Sequence, residues 1–130
     1  MMSGMISIMK NQRISVYGIS NCDTVKKARA WLTAQGMDYE FHDFKKLGVR
    51  ERELALWIDA LGWEKLVNRK GTTWRALDTA TQASVIDAGS AIAAIKASSS
   101  LIKRPVVQWA TGKVTVGFDA NTWQALCPPA

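Results

Sequence analysis

Between residues 14 and 44 the hydrophobic period of the chain changes twice. Ile14-Ser15-Val16-Tyr17 alternates apolar with polar or amphipathic side chains and stops at Gly18, the pattern of a short strand running into a turn. From Asp23 to Gln35, Val25, Ala28, Trp31 and Leu32 recur at helical spacing, with Asn21 suited to cap the start and Gly36 to end the helix. Tyr39-Glu40-Phe41-His42-Asp43-Phe44 alternates again, so a second strand is expected. A strand, a helix of about a dozen residues and a strand make a βαβ unit, with parallel strands and a right-handed crossover.

The middle of the chain is helical in character. Leu54, Trp57, Ile58 and Leu61 form one stripe, Gly62 interrupts it, and Trp63, Leu66 and Val67 continue at the same period. A further helical stretch runs from about Thr81 to Ala97, with Val85, Ile86, Ile92 and Ile95 among alanines and Gly89 as the expected point of division. These stripes read as core packing. Leu101 to Val107 is apolar and β-branched, but Pro105 removes a ladder donor, so a third strand is expected to begin near or just after it. Gly112-Lys113 marks a turn, Val114-Thr115-Val116 a fourth strand, and Asp119 the cap of a last helix bearing Trp123, Ala125 and Leu126. There is no internal repeat and no linker. Helices over a four-stranded mixed sheet make an α/β domain of the thioredoxin type the best fit.

Composition narrows this picture. A chain of 130 residues, 48% hydrophobic and 22% charged, fits one compact domain. We expect residues 13–130 to form it, with residues 1–12 as a flexible N-terminal extension that holds four methionines and alternative start sites. The start reads as no signal peptide, and no apolar run approaches the roughly 20 residues that span a bilayer. Two cysteines far apart in sequence and a single histidine, His42, cannot assemble a zinc cluster, so no metal is expected. Both thiols read as reduced, in a cytoplasmic protein. The net charge of +6 and pI near 9.6 would suit nucleic acid. The basic residues fall in short groups (Lys26, Lys27, Arg29; Lys45, Lys46, Arg50, Arg52; Arg69, Lys70, Arg75) without a long block of like charge, and a solvated surface is the better reading.

The chemistry centres on Cys22. At the start of the first helix its sulfur would lie beside amides without helical partners and at the positive end of the helix dipole, an environment that favours thiolate. Lys26, one turn on, adds positive charge. A small residue chosen for packing is the other reading of a free cysteine, and position alone does not separate the two.

Tyr17-Gly18-Ile19-Ser20-Asn21-Cys22-Asp23-Thr24-Val25-Lys26-Lys27-Ala28, with Gly71-Thr72-Thr73-Trp74-Arg75 and Lys103-Arg104-Pro105, resembles the arsenate-reductase-like family that includes Spx, and within it the YffB subgroup. The resemblance covers about residues 14 to 126. It implies a thioredoxin-like fold with a helical insertion, here at about residues 48–98, between βαβ and ββα halves. It also implies that Cys22 is the nucleophile, that Arg104 holds an anion beside the sulfur, that Arg69 in Asn68-Arg69-Lys70-Gly71 is a second such arginine, and that Pro105 is a cis-proline facing the thiol. A planar guanidinium presents parallel donors to an oxyanion or carboxylate, which suits that role.

Two positions depart from the relatives. Val25 stands where Spx proteins carry the second cysteine of a CxxC, so no local disulfide can close. Gly117 lies where arsenate reductases carry a third anion-binding arginine. A lone thiol needs a resolving partner from outside, and glutathione is the abundant cytosolic one. The expectation is a glutathione-dependent thiol reductase with Cys22 and Arg104 as catalytic residues. Asn21, Lys26, Arg69, Arg104 and Pro105 would bind substrate or glutathione, with no tightly bound cofactor. Its partners would be glutathione, glutaredoxin and a small-molecule or protein disulfide, with no membrane or nucleic acid. The alternatives are an arsenate reductase and a Spx-like, non-catalytic regulator that binds RNA polymerase. Cys127 reads as an incidental thiol on a frayed end, and His42 as structural or surface.

Overall fold

The structure, a computed structural model, describes residues 13–127. The extension expected over residues 1–12 lies outside them. The described residues divide into two compact units: those up to Asp43 together with those from Arg104 onward, and Phe44–Lys103.

In the first unit, β1 (Ile14–Gly18), α1 (Asp23–Ala34) and β2 (Tyr39–Asp43) form the βαβ element, followed after the second unit by β3 (Val106–Gln108), β4 (Val114–Val116) and a C-terminal helix (Ala120–Leu126). Among the described residues the sheet has four strands in the order β2-β1-β3-β4. β1 is parallel to β2 and antiparallel to β3, which is antiparallel to β4. This mixed sheet with its flanking helices is the thioredoxin-like fold expected from the hydrophobic pattern.

The core follows from strand alternation. Ile14, Val16 and Val107 meet Ala28 and Leu32 of α1, Trp109 and Trp123 in one buried cluster, with Tyr39 and Phe41 packed against it. Trp123 is its aromatic hub, meeting Trp109 at 5.0 Å, Phe118 at 4.8 Å and Trp31 at 5.9 Å, all edge to face. Asp119 caps the C-terminal helix by accepting the Asn121 N–H at 3.1 Å.

The second unit holds α2 (Phe44–Leu47), α3 (Glu51–Leu61), α4 (Trp63–Leu66), α5 (Thr72–Arg75), α6 (Thr79–Ser84), α7 (Ala88–Ala97) and a 3₁₀ turn (Ser99–Leu101). Gly62, with φ +86°, separates α3 from α4 where the sequence puts the interruption. The stretch from Thr81 to Ala97 breaks elsewhere than expected. Gly89 lies inside the first turn of α7, and the break falls at Val85–Asp87. Its cause is a reciprocal cap: Asp87 accepts the Ser90 N–H at 2.8 Å and the Ser90 hydroxyl accepts the Asp87 N–H at 3.0 Å. The bonds to Ser90 hold the Asp87 carboxyl below the usual carboxylate range. The cap's contribution is therefore present above that range and lost as pH falls through the lowered value. Asp87→Ala should lower stability at neutral pH, with the difference from the parent shrinking in acid, measured by denaturant unfolding at several pH values.

No helix among the described residues is long and apolar enough to cross a membrane.

Candidate active site

The loop between β1 and α1 begins at a glycine that the packing requires. A Cβ on Gly18 would lie 2.8 Å from Cγ2 of Val25, itself fully buried, so strand and helix approach too closely for any side chain there. Gly18→Ala should cost about 1–3 kcal/mol through overpacking, read as a lowered denaturant midpoint. The chain then turns: the Cys22 N–H donates to the Ile19 carbonyl at 3.1 Å, and the Lys26 N–H donates to the Cys22 carbonyl at 2.9 Å, closing the first helical turn.

Cys22 is thus the N-cap of α1, in an extended conformation, and its side chain makes no capping hydrogen bond. It is half-buried and free of any disulfide. The thiol sits where the first amides of a 12-residue helix lack helical acceptors, a place that stabilises negative charge. The expectation that Asn21 caps this helix is not met. Asn21 lies in the turn and is exposed, because the tight turn from Ile19 to Cys22 makes Cys22 the last extended residue before the helix. Lys26 is exposed one turn into α1.

Sheet register brings the second half of the chain to the same end. Tyr17 pairs with Val106, so Arg104 and Pro105 enter β3 where β1 leaves toward Cys22. Pro105 is buried and Arg104 half-buried, the peptide bond between them is cis, and the Pro105 carbonyl accepts the Gly117 N–H at 2.9 Å. Gly117 has φ +80°, the left-handed region that disfavours a side chain.

Arg69 belongs to the second unit and is exposed, its guanidinium 5.7 Å from the centre of the Trp63 ring. The Asn68–Gly71 loop that carries it is closely tied: the Lys70 N–H donates to Asn68 Oδ1 at 3.2 Å, and Arg75 Nε donates to the Lys70 carbonyl at 3.1 Å. A Cβ on Gly71 would meet the Asn68 side chain at 2.8 Å. This gives the Gly71–Arg75 motif a structural purpose.

Two further titratable groups have definite surroundings. His42 stacks on Tyr17 at 4.6 Å and its Nε2 lies 3.7 Å from Glu40. Cys127 differs from the frayed thiol expected. Its N–H donates to the Trp123 carbonyl at 3.0 Å and the residue packs half-buried against the aromatic cluster. Burial pushes this thiol up, so its thiolate fraction at neutral pH is smaller than that of an ordinary cysteine. Iodoacetamide should therefore label Cys127 more slowly than Cys22 at neutral pH and catch up only in strongly alkaline solution, as peptide mass spectrometry would show.

Sequence reading missed Asp43, the one buried charged residue among those described; its Oδ2 accepts the Ser20 N–H at 3.1 Å. A signal was present: Asp43 shares the parity of Tyr39 and Phe41, the inward positions of β2. No group of three or more histidine, cysteine or acidic residues that could hold a metal ion occurs among the described residues.

The model of the ArsC family matches residues 17–126. An uncharacterised protein of Haemophilus influenzae is 39% identical over 112 residues, 86% of this chain and 96% of its own. Among solved structures, a protein named YffB superposes with a TM-score of 0.82 at 41% identity, covering 88% of this chain and 99% of its own. An arsenate reductase-related protein from Brucella melitensis superposes at 0.70 with 43% identity, covering 87% and 92%. With the family model matching residues 17–126, this chain belongs to the ArsC family.

Proposed function

We propose that the chain is a glutathione-dependent thiol reductase working through a single thiol, Cys22. The observation that supports this reading most is that Cys22 caps α1 alone: Val25, three residues on, is an apolar side chain buried against Gly18. The electrons for resolving an adduct must then come from a thiol outside the helix.

The reaction is a pair of exchanges at sulfur. The Cys22 thiolate attacks one sulfur of a disulfide R–S–S–R′; a Cys22–S–S–R bond forms, the substrate S–S bond breaks, and the leaving thiolate takes a proton from solvent. A glutathione thiolate attacks the R-side sulfur, restoring Cys22 as thiolate and carrying R away as a mixed disulfide. A second glutathione reduces that product. Two glutathione molecules thus supply the two electrons and leave joined as oxidised glutathione.

Arg104, half-buried at the sheet end that Cys22 also occupies, supplies fixed positive charge for the developing thiolate or for a glutathione carboxylate. Asn21, Lys26 and Pro105 complete the proposed binding set at that end. Glutaredoxin would serve as an additional electron donor, and the cytoplasm as the glutathione-rich compartment.

Arsenate is the less favoured substrate in this reading. Gly117, where the resemblance implies a third arginine, has φ +80° and donates its N–H to the Pro105 carbonyl at 2.9 Å, so its backbone suits glycine. A polymerase-binding adaptor is weaker still, since Val25 removes the disulfide switch. The test is reduction of bis(hydroxyethyl) disulfide by glutathione, coupled to NADPH through glutathione reductase. Acceleration by the purified chain is expected, with no arsenate turnover above background; a disulfide rate equal to the protein-free control would remove the reading.

A further inference from the structure

We infer that Asp43 is a positioning residue for Cys22: by holding the Ser20 N–H it fixes the turn that presents the thiol. The inference rests on Cys22 being the nucleophile.

Three observations converge on it. Gly18 and Asp43 are the last register pair of the β1–β2 ladder, so the Asp43 side chain stands where β1 ends and the thiol loop begins. Asp43 Oδ2 accepts the Ser20 N–H at 3.1 Å, a contact across 23 residues of sequence. Asp43 is only 9% exposed, at an inward-facing position of β2. Burying a carboxylate is costly unless its oxygens are hydrogen-bonded, and the Ser20 N–H is one donor that satisfies Asp43.

The four residues Ile19–Cys22 are then held from two sides. From within, the Cys22 N–H bonds the Ile19 carbonyl at 3.1 Å; from without, Asp43 holds the amide of the next residue, Ser20. Ile19 is itself buried, which leaves the turn little freedom while both bonds persist. Removing the outer bond frees the Ser20 amide to rotate, and with it the direction in which the Cys22 sulfur leaves the helix start. Displacing a reacting atom by about 1 Å costs up to about a hundredfold in rate. Asp43 does not touch the reacting sulfur in this account; it acts through the Ser20 amide.

The experiment compares Asp43→Ala, Asp43→Asn and the parent. It measures iodoacetamide labelling rates at Cys22 and at Cys127 in the same sample, and kcat and KM for glutathione-dependent disulfide reduction. Asparagine keeps an acceptor oxygen for the Ser20 N–H. Asp43→Ala is expected to lower Cys22 labelling and kcat by about tenfold or more with Cys127 labelling unchanged, and Asp43→Asn to restore at least half of each. A smaller fall, an equal change at both cysteines, or no restoration by asparagine would overturn the inference. If Asp43→Ala does not fold, Asp43→Glu takes its place: it keeps the charge and moves the acceptor by one methylene, with the same expected loss at Cys22. Cys22→Ser separates the two readings. Turnover that survives without the Cys22 thiol removes the reductase reading itself, whereas turnover that needs Cys22 but ignores Asp43 removes this inference alone.

Discussion

Replacing Cys22 by serine should bring glutathione-dependent disulfide reduction down to the protein-free background. The hydroxyl fills nearly the same volume at the same N-cap, and serine is a good capping residue, so the variant should fold as the parent does. What it loses is chemical. An alcohol beside the first amides of α1 stays protonated at neutral pH and forms no bond to sulfur that a second thiol could exchange. Cys127→Ser is the matched control. Cys127 packs half-buried against the aromatic cluster and burial raises its thiol, so its replacement should leave turnover as it is in the parent. Loss of activity in Cys127→Ser with activity retained in Cys22→Ser would reverse the assignment of the two thiols.

Trp123→Ala should be the most damaging change to the fold, costing about 3–5 kcal/mol. Trp123 is 1% exposed and touches the edges or faces of Trp31, Trp109 and Phe118, which come from α1 and from the segments after β3 and β4. Truncation removes the ring contacts from all three at once and leaves a cavity that the rigid sheet cannot close. Against a total stability of about 5–15 kcal/mol, that loss is a large share. Denaturant unfolding should show the midpoint falling, and Cys127, four residues after Trp123 and bonded through its N–H to the Trp123 carbonyl, should become faster to alkylate. A shift under about 1 kcal/mol would contradict the packing described for this helix.

The fold was legible because the signals that build it are local. Alternation at Ile14–Tyr17 and Tyr39–Asp43, the helical stripe of Val25, Ala28 and Leu32, and Asp119 as a cap each report a short stretch of backbone, and each is realised. The misses have physical causes as well. Gly89 carries a low helix propensity, yet the Asp87–Ser90 cap starts α7 upstream of it and overrides that preference. Asn21 is a good capping residue in isolation, but the turn bond from Cys22 to Ile19 places the cap one residue later. Phe44, expected in the second strand, begins α2 instead.

The site was legible in part. Cys22 at a helix start could be read from its place between Gly18 and the apolar stripe of α1, whereas Arg104 and Pro105 depended on the family resemblance, since no local pattern pairs them with residues more than eighty positions earlier. The register of β1 with β3 supplies that pairing. Asp43 was missed because its contact with Ser20 exists only once β2 lies beside β1.

The most direct measurement is mass spectrometry of the intact protein and its peptides after incubation with oxidised glutathione. A monothiol reductase with Cys22 as nucleophile should gain one glutathione, carried on the peptide that contains Cys22 and released by added reduced glutathione. A protein that takes no glutathione, or takes it at Cys127 while Cys22 stays free, would contradict the account.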